Sequence, residues 1–549
     1  MRQGHLCALA VLVALSGCKR PSSGPEMAPG APVDGAPKVI DLDQGWSHAD
    51  QDGASYASFG SKLVPKAWLL HLENSDGSPF IGDKGMGALG FLLQASPSAG
   101  NPDALPVGVT IAKDAAGHEW AGLGCAACHT GEVDYRGTRM RIDGGQALID
   151  FDAFEGALIA SLERVLGDDT SFLAFADAVG TPATGRDALR AEVASLRDKL
   201  QARHALNASP VPYGRGRLDA FGQIFNSVAV EFLGIPGNKR VPDAPVSYPV
   251  MWDASHLDLV QWNGSAPNAG PGPLLQNVTT ALAVYGSLDV SGRDGLDGFP
   301  SSVDFNRLGD IQDWFYKLRA PAWPEEVLGA LDDEAVARGS KVYASECSSC
   351  HALSDRNDPK RELKAVLTPV NEVGTDPRMV QNFLNGKVET GPWQGRKTAV
   401  LAGPVLGAQA QSIDVVAHAA IGATLRHPLA AVHDAAVSWH TVYKAGIAQH
   451  PDYYKARPLS GIWASAPYLH NGSVPTLAEL LKPPSERVAK FWVGGREFDP
   501  AAVGNEYGEG PDRTLLDTAL PGNSNAGHAF GTQLSDAQKR DLLEYLKSL

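Results

Sequence analysis

With 549 residues, 44% of them hydrophobic, the chain is long enough for two or three separate cores, because single cores stop growing at roughly 250 to 300 residues. Its formal charge of −15 at pH 7 repels a phosphate backbone over most of the surface. No dense Lys/Arg run offsets that repulsion, which excludes nucleic acid as a partner.

The chain opens as a signal segment, residues 1–17. Arg2 and His5 precede an apolar run from Leu6 to Leu15, too short to span a bilayer, and Ser16, Gly17 and Cys18 follow. The tetrad Leu15-Ser16-Gly17-Cys18 resembles a bacterial lipobox, so cleavage before Cys18 and its acylation are expected; an ordinary cleaved signal peptide is the alternative. Residues 18–40, rich in Pro and Gly, read as a tether. The expected location is the periplasm or cell envelope, with a lipid anchor in the outer membrane.

Two units are expected after the tether, 41–324 and 325–549. In the first, apolar residues recur at three- and four-residue intervals over Phe151 to Leu166 and Arg186 to Leu206, which predicts two amphipathic helices. Between Pro242 and Pro273 the density of Pro, Gly, Asn and Trp predicts an ordered irregular segment wrapped around something bulky. The second unit begins with an acidic helix start at Asp332 and Asp333, and the helix leads directly into Cys347. A terminal helix with a capping signal is predicted over Leu534 to Leu546.

Of six cysteines, Cys7 and Cys18 belong to the N-terminal segment. The other four fall in Cys125-Ala-Ala-Cys128-His129 and Cys347-Ser-Ser-Cys350-His351, so none is left over for disulfides. Two thiols at this spacing reach the two vinyl groups of one porphyrin, and the adjacent imidazole reaches the iron from the same side. A zinc site would want a further Cys or His pair, and a redox dithiol has no need of the histidine. Two covalent haem c groups are therefore expected, with His129 and His351 as proximal ligands.

The stretch Pro458-Leu-Ser-Gly-Ile-Trp-Ala-Ser-Ala-Pro-Tyr-Leu-His470-Asn-Gly-Ser is similar to a segment of the bacterial di-haem cytochrome c peroxidases and their MauG-type relatives. Gly494-Gly-Arg496-Glu-Phe-Asp499, Gly522-Asn-Ser-Asn-Ala-Gly-His528 and Tyr213-Gly-Arg215-Gly-Arg217-Leu-Asp219 more closely resemble the di-haem rubber oxygenase branch. The resemblance implies a mainly α fold: two cytochrome c-like domains, each with one covalent haem c, plus extensive irregular loops. Where the peroxidases carry a methionine ligand to the second haem this sequence has Pro484, and His528 is the expected replacement, ahead of Met379 and His470. For the first haem no distal ligand is recognisable downstream. His418, His427, His433, His440 and His450 carry no context that singles them out.

Trp252 and Trp262 resemble tryptophans that lie between the two haems of this superfamily, with core packing as the alternative for each. Arg215 and Arg217 are candidates for haem propionates, or else ordinary surface arginines. The resemblance implies an oxidoreductase whose N-terminal haem activates dioxygen or hydrogen peroxide while the C-terminal haem transfers electrons. An apolar substrate or a redox protein is the further partner expected. A non-catalytic di-haem electron-transfer protein is the alternative, and a gas or redox sensor ranks below it.

Overall fold

The computed structural model describes residues 38–268, 273–291, 298–401, 403–427 and 452–549. The signal segment, Cys18 and most of the tether lie outside them, as do His433, His440 and His450. Everything described falls within one compact unit, Pro37–Leu549.

The architecture corrects the expectation of a mainly α fold. The chain is 38% helix and 16% strand, a mixed α/β fold with several small sheets. The difference is clearest around the first Cys-x-x-Cys-His, which no long helix precedes. Strand Glu119–Leu123, the middle strand of a sheet with Val64–Pro65 and Val109–Lys113, runs into a single helical turn, Cys125–Cys128. Directly after His129, strands Thr130–Tyr135 and Thr138–Asp143 form a hairpin. Its two-residue turn, Arg136-Gly137, has positive φ at both positions (48° and 82°), the turn geometry whose twist matches the flanking strands. Lys38–Asp41 completes this sheet, parallel to Thr138–Asp143.

The predicted helices form. Phe151–Gly167 is capped by the Asp150 carboxylate, which accepts from the Ala153 amide, and it buries Leu158, Leu162 and Val165. Arg186–Leu206 buries Leu189, Val193 and Leu200 against the same core. The segment from Pro242 is irregular, with paired stretches of only two residues at Val246–Ser247, Leu259–Val260 and Ala266–Pro267.

The second motif sits in different surroundings. Helix Asp333–Glu346, capped by Asp332, delivers Cys347 at its C-terminal end. Helix Asp536–Ser548 starts in a Ser535/Gln538 capping box and packs across it. The crossing is close because Gly339 faces it: a Cβ there would lie 2.0 Å from the Asp541 carbonyl oxygen. Tyr343 and Tyr545 pack beside this contact at 5.2 Å. Gly339→Val should therefore push the helices apart and destabilise the protein by about 1–3 kcal/mol or more, read as a lower midpoint in chemical denaturation.

Candidate haem-binding site

The second motif opens onto a large cavity holding about 1550 Å³ of atom-free space, part of it open to solvent. Cys347, Cys350 and His351 line one part of its wall, and His528, Leu477, Leu480, Leu542 and Leu546 line others. Tyr248 and Pro249, which contact His129 of the first motif, also line the cavity, as do Trp262, Tyr454 and His470.

Each motif histidine is held in the same way. His129 Nδ1 lies 2.8 Å from the Pro249 carbonyl, and His351 Nδ1 lies 2.7 Å from the Arg457 carbonyl. A carbonyl can only accept, so Nδ1 carries the proton and Nε2 keeps its lone pair for a metal. Burial lowers both imidazoles below the usual histidine range, His129 to about 4. Both rings are neutral, as a ligand requires.

His528 faces His351 with ring centres 6.2 Å apart and planes at 52°. Facing rings at this distance are the two residues that could hold the iron of a haem attached at Cys347 and Cys350. Burial, and then the neighbouring His351, lowers His528 to about 4. Its loop is fixed from one point. The Arg487 guanidinium donates to the carbonyls of Asn525, Gly527, His528, Leu480 and Lys482, while the His528 amide donates to Val373. His528 itself adopts φ +44°, unusual for a residue with a Cβ.

His129 differs. Among the described residues its aromatic neighbour is the edge of Tyr248, at 6.4 Å, and no second imidazole stands across from it. The helical turn packs tightly from behind: Gly108 has φ +80°, and a Cβ there would lie 1.9 Å from the Ala127 nitrogen. Cys125 packs against the largest apolar core and Cys128 against the second.

The other sequence-derived candidates separate. Trp262 lines the cavity; its indole donates to the Ser247 carbonyl, it meets His470 edge-on at 6.5 Å, and the Arg457 guanidinium sits 6.0 Å over its ring. Trp252 is a buried core residue whose indole donates to Ser460. Arg215 and Arg217 do not line the cavity. Arg215 donates to the carbonyls of Leu148 and Ala88, and Arg217 to those of Tyr213 and Asn471 and to the Asn523 side chain. Met379 is buried in the largest core, and His470 stacks on Tyr454 at 4.2 Å with its ring in the cavity wall, lowered by burial to about 3.

Residues not singled out from sequence are Lys455 and Arg457, which also line the cavity. Burial pushes the Lys455 ammonium down to about 7 and the Arg457 guanidinium to about 10. Arg457 Nη1 is buried without a hydrogen-bond partner. The only signal was their position just ahead of Pro458, where the recognisable stretch begins.

The donor set fits haem c. All four cysteines are free of disulfides, so each motif offers two thiols to a porphyrin. Among the described residues no three His, Cys, Asp or Glu side chains converge on a metal position, leaving each Cys pair without a further zinc ligand.

Comparison with known proteins agrees with this chemistry. A family profile described as RoxA-like, cytochrome c-like, matches residues 453–493, the stretch that carries Lys455, Arg457, His470 and Arg487. A protein of Sinorhizobium fredii (strain NBRC 101917 / NGR234), described as uncharacterized protein y4iJ, is 32% identical over 574 residues, covering 93% of each chain. The chain belongs to the same family as y4iJ. A second protein of that strain, described as uncharacterized protein y4iM, is 26% identical over 368 residues, 62% of this chain and 74% of the relative. The RoxA-like match supports the rubber-oxygenase-like branch and a haem-type cytochrome; the wider peroxidase and MauG assignment rests on sequence resemblance alone.

The two tryptophans should respond differently to truncation. Trp252→Ala should cost about 3–5 kcal/mol by emptying a packed core, whereas Trp262→Ala, at the cavity wall, should cost clearly less. Denaturant unfolding of the two variants checks this.

Proposed function

We propose that this protein is an exported di-haem c-type cytochrome oxidoreductase. Dioxygen or peroxide reacts at the His129 site, and electrons pass through the His351/His528 site. The observation carrying this reading is the asymmetry between the motif histidines: His351 has a second imidazole 6.2 Å away, and His129, among the described residues, has only the edge of Tyr248. Two strong axial ligands favour electron transfer, while an open side favours reaction with an oxidant. Haem bound at these motifs supplies the iron redox couple and the exchangeable coordination position.

The chain's own contribution is orientation and exclusion of water. The Pro249 and Arg457 carbonyls hold the proximal imidazoles as Nδ1–H tautomers, and Arg487 fixes the loop that presents His528. Trp262, in the cavity wall between the Arg457 side chain and the Ser247–Pro249 segment, is suited to shorten electron hops between the two sites; Trp252 has the surroundings of a packing residue. An apolar substrate is the further partner of this reading, and a redox protein is the alternative reductant or oxidant. The lipobox-like Leu15–Cys18 tetrad supports anchoring of the mature protein through Cys18 at the periplasmic face of the cell envelope. No helix among the described residues is long and apolar enough to cross a membrane.

Low-temperature electron paramagnetic resonance of the oxidised protein should give one high-spin and one low-spin signal, with cyanide or hydrogen peroxide altering only the high-spin one. Two unresponsive low-spin haems, before and after partial reduction, would favour a non-catalytic electron carrier. His528→Ala should turn the low-spin signal into a high-spin or water-ligated form with both haems still attached; an unchanged low-spin signal rejects His528 as the ligand.

A further inference from the structure

Lys455 and Arg457 are two half-buried cations that line the cavity. Neither has a carboxylate within ion-pair distance among the described residues. The acids whose charge reaches them are engaged elsewhere: Asp253 accepts from Arg361 at 2.7 Å, and Asp258 accepts from the Ala365 amide at 2.8 Å. Lys455 Nζ has one long contact, 3.3 Å to the Leu259 carbonyl, and Arg457 Nη1 has no partner.

Two adjacent, largely enclosed cations without an anion are unfavourable in a folded protein. Buried arginines away from the cavity wall show the usual arrangement: Arg217 and Arg487 donate to carbonyls, and Arg361 to Asp253 and the Leu318 carbonyl. The missing partner is an anion that does not come from the described chain, and it must fit the cavity wall that carries Cys347, Cys350 and His351. A guanidinium matches a carboxylate with two parallel hydrogen bonds, and an ammonium adds a point charge beside it.

We propose that Lys455 and Arg457 form the seat for the propionate carboxylates of the haem attached at Cys347 and Cys350. This rests on the haem reading of that motif and gives it a role that Arg215 and Arg217, which do not line the cavity, do not fill. Arg457 is then a positioning residue at three contacts: its carbonyl holds His351, its guanidinium lies over Trp262, and its free Nη1 meets the carboxylate. Neutralising that carboxylate, and placing positive charge near the iron, disfavours the oxidised state and raises the reduction potential of this haem.

The test is spectroelectrochemical titration of the full-length di-haem protein and of Arg457→Met, Arg457→Lys and Lys455→Met. The methionine variants should keep both haems and a low-spin second site. Their second haem should titrate lower by about tenfold in the redox equilibrium, about 59 mV for one electron, and Arg457→Lys should recover part of the shift. If Arg457→Met does not accumulate, Lys455→Met reads the same quantity, because its backbone hydrogen bonds are untouched. Methionine variants that carry two haems and titrate at the wild-type potential would overturn the seat. Failure of the underlying reading looks different: peptide mapping of the wild-type protein would then find no haem on Cys347 and Cys350.

Discussion

The hydrogen bond from each motif imidazole to a distant backbone carbonyl is the constraint on which the site depends. His129 reaches Pro249, 120 residues along the chain, and His351 reaches Arg457, 106 residues along. A Cys-x-x-Cys-His peptide alone leaves its imidazole free to turn and to choose either tautomer. Only when the irregular segment around Pro249 and the strand Tyr453–Ala456 are in place does each ring keep Nδ1 protonated and offer Nε2. Cofactor geometry and tertiary structure are thereby coupled, and the irregular course of residues 242–268 follows from its task of carrying a carbonyl and an indole to the cavity rather than completing a sheet.

The two motifs use one chemical signature in two scaffolds. The second hangs from the end of a long helix clamped by the terminal helix at Gly339. The first is a single turn between two strands, backed by Gly108 and braced by the Arg136-Gly137 hairpin. A strand-bound turn leaves the far side of its imidazole to other parts of the chain, and none of the described residues brings a second imidazole there. Around His351 the opposite holds, because Arg487 gathers five carbonyls and fixes the His528 loop against it.

The sequence was most legible where one element carries its own signal. The periodicity of Leu158, Leu162 and Val165, the Ser535 capping box and the two cysteine motifs each point to structure or chemistry within a short window. The fold class was not legible, since the strands that make it mixed are two to six residues long, too short for alternation to register. Hairpin 130–143 was announced only by Arg136-Gly137, one Gly among 59. The site was legible in its ligand types and opaque in its supports. Arg215 and Arg217 stand in a recognisable motif but lie away from the cavity, whereas Lys455 and Arg457 look ordinary in sequence because what distinguishes them, a place in the cavity wall without an anion, exists only in the fold.

The most direct test of the haem assignment is intact-mass analysis of the full-length protein, produced with cytochrome c maturation, combined with a pyridine haemochrome spectrum. Two thioether-linked haem groups per chain, mapping to the Cys125–Cys128 and Cys347–Cys350 peptides, are the predicted result. A chain carrying no covalent haem, or holding zinc on either cysteine pair, would contradict it.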